Sequence, residues 1–108
     1  MKFIFLIVTG ALAISACSTG KRYYWGDYNK ASEQYTIDND ASKYGKELNE
    51  IIDDKPRRRI VAPGIYAEYG LLHLRMGKKE TARYYFQLEK KFRPEFAQAM
   101  DELIRETY

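Results

Sequence analysis

One glycine and two prolines divide the C-terminal half of this sequence into segments of helical length. Gly77 suits the left-handed conformation that ends a helix, and Pro63 and Pro94 suit the first turn of a helix. We therefore predict helices over residues 63–76 and 78–92, which form a hairpin around the turn at Gly77. A fold of packed helices follows from this division.

The same hairpin resembles a tetratricopeptide repeat, in which a glycine, an alanine and a proline recur at fixed spacing. Gly70, Ala82 and Pro94 are each 12 residues apart, and the small Gly70 and Ala82 let two helices approach closely. The residues that carry the resemblance are Tyr66, Tyr69, Gly70, His73, Ala82, Phe86 and Pro94. We expect the second helix to bury Ala82, Tyr85, Phe86 and Phe92.

A weaker copy of the pattern lies upstream. Pro56 precedes Pro94 by 38 residues, whereas the repeat unit has about 34, so we expect extra residues around 57–62. The predicted elements are helix 28–36 with Asp27 as its cap and helix 41–54 with Asp40 as its cap. This segment is either a true repeat or a plain helical hairpin.

The last segment predicts a closing helix, because its apolar residues recur at spacings of three and four. These residues are Phe96, Ala99, Met100, Leu103 and Ile104. No segment shows a strand pattern. The predicted fold class is therefore all-α, with about two tetratricopeptide-like hairpins and a C-terminal capping helix after a signal peptide. Because repeat arrays normally need about three or more units, a partner or homo-oligomer is expected to complete the burial.

Residues 1–16 have the features of a lipoprotein signal peptide. Lys2 is followed by an apolar stretch, 3–16, whose 14 residues are too few to cross about 30 Å of hydrocarbon. The stretch ends in Ile14-Ser15-Ala16-Cys17, which resembles the lipobox of bacterial lipoproteins. We predict a signal peptide at 1–16, a lipidated N-terminus and tether at 17–22, and a helical domain at 23–108. The alternative is an ordinary secretory signal with a chance cysteine.

Lipidation of Cys17 would anchor the protein, because the lipobox implies several acyl chains, palmitate among them, on one residue. Ser18 follows the cysteine, and the resemblance to lipoproteins implies sorting to the outer membrane, facing the periplasm. Removal of residues 1–16 leaves 17 basic and 15 acidic side chains. This charge is too small to indicate a polyanion, and a lipoprotein outside the cytoplasm has no nucleic acid to bind.

The run from Tyr23 to Tyr28, Tyr-Tyr-Trp-Gly-Asp-Tyr, is the most distinctive local sequence. With the hairpins that follow, it resembles a family of small bacterial lipoproteins of unknown function that carry a Tyr-Trp-Gly-x-Tyr element. The resemblance implies a component of an outer-membrane lipoprotein assembly, encoded beside a lipoprotein similar to the curli secretion channel. The family has no established catalytic residues, so the resemblance supplies none.

Two segments are candidate partner-binding surfaces, and their residues are Tyr24, Trp25, Tyr28, Arg57, Arg58 and Arg59. The tyrosine-rich segment either packs onto the first helix or lies at the membrane interface, where tryptophan and tyrosine are enriched. The arginine segment is either a solvated loop or a contact for anionic headgroups or an acidic partner.

The sequence offers no catalytic, metal-binding or cofactor-binding motif. His73 falls at a helix-packing position, and Asp38-Asn39-Asp40 lacks the glycine of a calcium loop, so we interpret it as a turn before a helix. We therefore expect a non-enzymatic scaffold or adaptor, bound to the membrane through Cys17 and to a protein partner. The alternatives are a membrane-perturbing lysis or stress lipoprotein and a small envelope hydrolase.

Overall fold

The computed structural model describes residues 22–108, so the predicted signal peptide and Cys17 lie outside the described residues. The elements are β1 (Tyr23–Tyr24), α1 (Tyr28–Asp38), α2 (Ala41–Asp53), β2 (Ile60–Val61), α3 (Ile65–Arg75), α4 (Lys79–Phe92), a 3-10 turn (Pro94–Phe96) and α5 (Ala97–Arg105). The prediction of an all-α fold with a C-terminal helix is confirmed, and α1 to α4 lie within two residues of their predicted bounds. None of the helices in this described part has the length and apolar character to cross a membrane.

The two short strands contradict the prediction that the chain has no strand. Tyr23 pairs with Ile60 and Tyr24 with Val61 in a parallel ladder. The amide of Ile60 donates to the carbonyl of Arg22 at 3.1 Å, next to this pairing. A strand of two residues is too short to show the alternation by which a sequence predicts strands. The extra residues expected around 57–62 thus contain β2.

The second hairpin, α3 and α4, is packed as its small residues predict. A Cβ atom on Gly70 would lie 2.7 Å from Cε1 of Phe86 and 3.2 Å from the carbonyl oxygen of Ala82. Ala82 and Phe86 are completely buried. Gly77, with φ of 78°, ends the first helix of the hairpin in the left-handed region. Glycine at position 70 is therefore required by the approach of the two helices.

Two detailed predictions about single residues are wrong. Phe92 is 40 % exposed, because it ends α4 and only one face of its ring stacks, on Tyr66 at 5.9 Å. The Asp27 side chain makes no capping hydrogen bond, since the backbone there (φ −93°, ψ 30°) is not in the extended conformation that capping uses. The other predicted cap is confirmed: the Asp40 carboxylate accepts a hydrogen bond from the amide of Lys43 at 3.0 Å.

The buried side chains form two clusters. The first cluster consists of Ala31, Tyr44, Leu48, Ile51, Val61, Ala62, Ile65, Tyr66 and Leu72. The second consists of Ala82, Phe86 and Met100, so α5 covers the second hairpin through Met100, as its apolar stripe predicts. Helix α1 contributes only Ala31 to these clusters. It is the least buried helix of the described chain.

Glu89 is a buried carboxylate inside the second hairpin, with 1 % of its surface exposed. Its Oε1 atom accepts hydrogen bonds from the amides of Gly64 at 3.1 Å and Ala67 at 3.0 Å. These amides begin α3 and have no acceptor within the helix, so Glu89 of α4 caps α3 from outside. Burial raises the pKa of Glu89, and the two amide hydrogen bonds oppose that rise.

Candidate functional site

An open groove of about 300 Å³ lies between α1 and α3, the first helices of the two hairpins. We call it the inter-hairpin groove. It is lined by Tyr28, Ser32, Tyr35, Thr36, Tyr44, Glu68, Leu71, Leu72 and Arg75. On both α1 and α3 the lining residues recur at spacings of three and four, so each helix turns one continuous face to the groove.

At one end of the groove, two tyrosines bind a single carboxylate. The Tyr28 hydroxyl donates to Oε1 of Glu68, and the Tyr44 hydroxyl donates to Oε2. Burial, followed by the hydrogen bond to Glu68, raises the pKa of both tyrosines. Both hydroxyls therefore stay protonated at neutral pH and remain donors. Through Glu68, helices α1, α2 and α3 are linked at one point.

The rest of the groove is aromatic and ends at a cation. The ring of Tyr35 stacks on that of Tyr44, with centroids 4.5 Å apart and planes 8° from parallel. An Nη1 atom of Arg75 lies 3.5 Å from the Tyr35 hydroxyl. Seven residues separate Glu68 from Arg75 on α3, which corresponds to about 10 Å along a helix. The groove thus combines a carboxylate, two stacked rings and a guanidinium along one helix.

Two residue differences between the hairpins fall on the groove. Tyr44 occupies the position in the first hairpin that Ala82 occupies in the second, 38 residues later. Ala82 is completely buried in the second hairpin, whereas the Tyr44 ring stacks on Tyr35 and its hydroxyl extends to Glu68. Ser32 likewise occupies the position of Gly70. Both Tyr44 and Ser32 line the groove.

The second assembly of polar side chains holds the N-terminal strand. We call Tyr23, Tyr24, Arg59 and Arg93 the N-terminal clamp. Arg59 donates to the carbonyl of Tyr23 and lies 5.8 Å from the centroid of the Tyr24 ring. Arg93 donates to the Tyr23 hydroxyl and lies 4.9 Å from the centroid of that ring. Two arginines from distant positions thus fix β1 to the domain through cation–π contacts and hydrogen bonds.

The residues after the clamp explain the rest of the distinctive N-terminal run. Gly26 has φ of 50°, and a Cβ atom there would lie 3.1 Å from Cγ1 of Ile51. A larger residue would be strained in this turn. Trp25 contacts Tyr28, with ring centroids 5.5 Å apart, yet remains 43 % exposed. Trp25 is thus the one member of the run that presents a large apolar surface to solvent.

The predicted contact residues fall into three places. Tyr24 and Arg59 belong to the N-terminal clamp, and Tyr28 lines the inter-hairpin groove. Trp25 and the pair Arg57 and Arg58 are exposed. The tyrosines of the N-terminal segment pack against the first cluster, which favours the packing interpretation for them. The structure also joins the tyrosine-rich and arginine-rich segments through β1 and β2, which the sequence did not indicate.

Four groove residues were not predicted as functional: Tyr35, Tyr44, Glu68 and Arg75. The sequence gives no reason to single out Tyr44, because the partner of its hydroxyl lies on a different hairpin. The spacing does indicate that each pair shares one face of a helix: Glu68 and Arg75 lie seven positions apart on one predicted helix, and Tyr28 and Tyr35 on another. Only the structure shows that these two faces meet, because it places α1 beside α3.

The remaining candidates are less suited to binding a partner. A cleft of about 310 Å³ on another face of α1, beside Gly26, is lined by charged side chains of both signs, among them Lys30, Lys43 and Glu50. Nδ1 of His73 donates a hydrogen bond to the Tyr69 carbonyl at 2.9 Å, and the His73 ring packs edge-on to the Tyr69 ring. Within residues 22–108 no group of three or more potential ligands is arranged to hold a metal ion.

Among the comparisons with known proteins, only the comparison with family models gives a match. No curated protein and no solved structure matches the sequence. The family model for a domain of unknown function, DUF4810, matches residues 22–103. The matched range begins beside β1 and ends within α5, and so includes both the N-terminal clamp and the inter-hairpin groove. The chain therefore belongs to the family of the domain of unknown function DUF4810.

Proposed function

We propose that this protein is a non-enzymatic scaffold or adaptor of the bacterial cell envelope, anchored through lipid on Cys17 to the outer membrane and facing the periplasm. The observation that carries the proposal is the inter-hairpin groove, an open surface with aromatic rings between a carboxylate and a guanidinium. Such a mixture of apolar surface and fixed polar groups is typical of sites that recognise protein segments.

The groove is suited to binding because its polar groups are already held in place. Glu68 is fixed by two tyrosine hydroxyls, and Tyr35 is fixed by stacking on Tyr44. A partner that binds here does not need to order these side chains, so little conformational entropy is lost on binding. The aromatic surface supplies most of the contact area, and Arg75 at one end favours a partner with an acidic group.

The partner we propose is a lipoprotein similar to the curli secretion channel. This proposal rests on the resemblance of the Tyr23–Tyr28 element to small lipoproteins encoded beside such channels. Within that assembly the domain would present the groove to the channel-like partner while the lipid on Cys17 keeps both at one membrane. Trp25, which is 43 % exposed, is a further contact surface in this proposal.

In-cell photocrosslinking tests the groove directly. A photoreactive amino acid at Thr36, on the groove, is expected to form adducts with the channel-like lipoprotein, identified by mass spectrometry. The same amino acid at Gln87, an exposed position of α4, is the control and is expected to yield few adducts. Cys17→Ser should reduce the adducts at Thr36, because the unanchored protein is diluted away from its partner.

A matched pair of substitutions separates the groove from general surface effects. Ser32→Arg places a large charged side chain in the groove and should abolish the adducts at Thr36. Ser42→Arg makes the same change at an exposed position of α2 and should leave them unchanged. Equal adduct yields from both variants, or adducts at Gln87 alone, would overturn the assignment of the groove as the partner-binding surface.

A further inference from the structure

The turn that carries the arginines lies beside the start of the described chain. The amide of Arg59 donates to the carbonyl of Pro56 at 3.0 Å, which closes a β-turn with Arg57 and Arg58 as its two central residues. The next residue, Ile60, donates its amide to the carbonyl of Arg22 at 3.1 Å. The tip of the turn is therefore fixed close to the point where the tether enters the domain.

The three arginines of the segment have different roles in the structure. Arg59 is half-buried and belongs to the N-terminal clamp, where it contacts Tyr23 and Tyr24. Arg57 and Arg58 are exposed, and no carboxylate within the described residues forms a salt bridge with either. Arg22 is exposed beside them. Arg22, Arg57 and Arg58 are thus three exposed residues that flank the pairing of β1 with β2, next to the tether.

The tether is too short to carry this surface away from a membrane. Four residues lie between Cys17 and Arg22, so these two residues are at most about 18 Å apart even in a fully extended chain. This upper limit is about two Debye lengths at physiological salt, where one Debye length is about 8–10 Å. Charges at this distance interact with an anionic surface, and the side chains of Arg57 and Arg58 extend further towards it.

We infer that Arg57 and Arg58, with Arg22, form a docking surface for anionic phospholipid headgroups, which fixes the domain's orientation on the membrane to which Cys17 anchors it. The inference rests on the proposed function, because it requires the lipid anchor. Guanidinium groups match phosphate geometry with paired hydrogen bonds. The parallel pairing of β1 with β2 holds this surface towards the bilayer, so the inter-hairpin groove is presented in a defined direction.

Energy transfer from Trp25 to a dansyl-labelled headgroup measures this docking in reconstituted vesicles. Trp25 is the only tryptophan in the chain and adjoins β1, so it reports the distance of the docking surface from the headgroups. The mature lipidated protein, isolated from membranes, is placed in neutral vesicles and in vesicles that contain phosphatidylglycerol. Transfer should be higher in the anionic vesicles, and added salt should remove the difference.

The matched variants are Arg57→Gln with Arg58→Gln, and Lys78→Gln with Lys79→Gln. Both pairs remove two exposed charges, but the lysines lie at the start of α4. The arginine variant should weaken docking by about fivefold per arginine, whereas the lysine variant should retain the wild-type difference between vesicles. Arg59 is left unchanged because it holds β1.

The outcomes separate this inference from the proposed function. If the protein does not float with neutral vesicles, it lacks the anchor, and both proposals are overturned. Normal flotation with equal energy transfer in neutral and anionic vesicles would overturn the docking surface but not the proposed function. The arginines would then be candidates for contact with an acidic protein partner. Equal loss in the arginine and lysine variants would show a general charge effect and would also overturn it.

Discussion

At the scale of single residues, two glycines inside helices have opposite roles. A Cβ atom on Gly45 in α2 would lie 3.6 Å from Cδ1 of Leu72, which is an ordinary contact distance. A Cβ atom on Gly70 in α3 would lie 2.7 Å from the Phe86 ring, which is buried and cannot move aside. Glycine at position 70 is thus required by packing, and glycine at position 45 only weakens its helix.

We predict that Gly45→Ala stabilises the domain by about 0.5–1 kcal/mol, because alanine has the higher helix propensity and its methyl group fits. Gly70→Ala is expected to destabilise it by about 1–3 kcal/mol, because the added methyl group overpacks the second hairpin. Denaturant unfolding of the two variants and the wild type measures both changes. Destabilisation by Gly45→Ala would show that α2 and α3 approach more closely than described.

Glu89 gives the stability a predictable pH dependence. Its pKa in the folded state is raised above the ordinary value of 4.5 by burial, so the folded state binds the proton more tightly than the unfolded state. Stability from this residue is therefore greatest below about pH 4.5 and falls as pH rises through the raised folded pKa. Deprotonation of Glu89 in the folded state therefore costs stability, and the hydrogen bonds from the amides of Gly64 and Ala67 partly offset this cost.

Replacing Glu89 by glutamine should remove this dependence, since the amide oxygen can accept the same hydrogen bonds without a charge. We predict that Glu89→Gln gains stability relative to the wild type as pH rises from about 4 to 7. The measurement is the unfolding free energy of Glu89→Gln minus that of the wild type at each pH, because the contributions of all other titratable groups cancel in this difference. If the difference does not change with pH, burial does not raise the pKa of Glu89.

At the scale of elements, α1 differs from the other helices because it is bound mainly through polar contacts. It buries only Ala31, and Ile37 near its end is 78 % exposed. Its polar connections to the second hairpin are the hydrogen bond of Tyr28 to Glu68 and that of Arg75 to the Tyr35 hydroxyl. An element with so little buried apolar surface is expected to open locally before the domain unfolds.

Hydrogen exchange should therefore distinguish α1 from α4. We predict that the amides in the middle of α1 exchange at a free energy of opening well below that of the amides around Phe86, which is fully buried. Mass spectrometry of exchanging fragments measures both regions in one sample, so α4 is the internal control. Comparable protection in α1 and α4 would mean that the polar contacts of Tyr28 and Tyr35 hold α1 as firmly as a core.

The helices could be predicted from the sequence, whereas the site that they form could not. Gly77 and Pro94 are local signals, and each marks the end or start of a helical segment without reference to distant residues. The prediction for Pro63 is wrong, because α3 begins at Ile65 with Gly64 as its N-cap and Pro63 lies outside the helix. The groove depends on Tyr44 meeting Glu68, and the clamp depends on Arg93 meeting Tyr23, at separations of 24 and 70 residues. Such contacts follow from how the hairpins pack, which periodicity along the chain does not specify.

At the scale of the whole molecule, two arginines in and directly after α4 bind the first and last residues of the described chain. Arg93, directly after α4, binds Tyr23 near the start. Arg83, in the first half of α4, donates to Oγ1 of Thr107 at 2.9 Å and to its carbonyl at 2.7 Å. The Tyr108 ring lies 3.8 Å from the same guanidinium. The second hairpin is thus the part of the domain to which the other parts are attached.

We predict that Arg93→Ala destabilises the domain by about 1–3 kcal/mol, because a charged hydrogen bond and cation–π contacts with Tyr23 and Phe96 are lost. Arg105→Ala, at an exposed position of α5, is the control and should change stability by less than about 0.5 kcal/mol. Denaturant unfolding followed by Trp25 fluorescence measures both variants. Equal stability of Arg93→Ala and the wild type would indicate that Arg59 and the strand pairing hold β1 without Arg93.

The attachment of β1 to β2 also determines how the molecule bears mechanical load. A pull applied at Arg22 reaches the Tyr23–Ile60 pairing and the guanidinium groups of Arg59 and Arg93 before it reaches α1. The segment between β1 and β2, which contains α1 and α2, is thus a closed loop outside the line of force. A load carried from Arg22 to the second hairpin would therefore bypass α1, the least buried helix, whereas a partner that pulls on the groove would load α1 through Tyr28 and Tyr35.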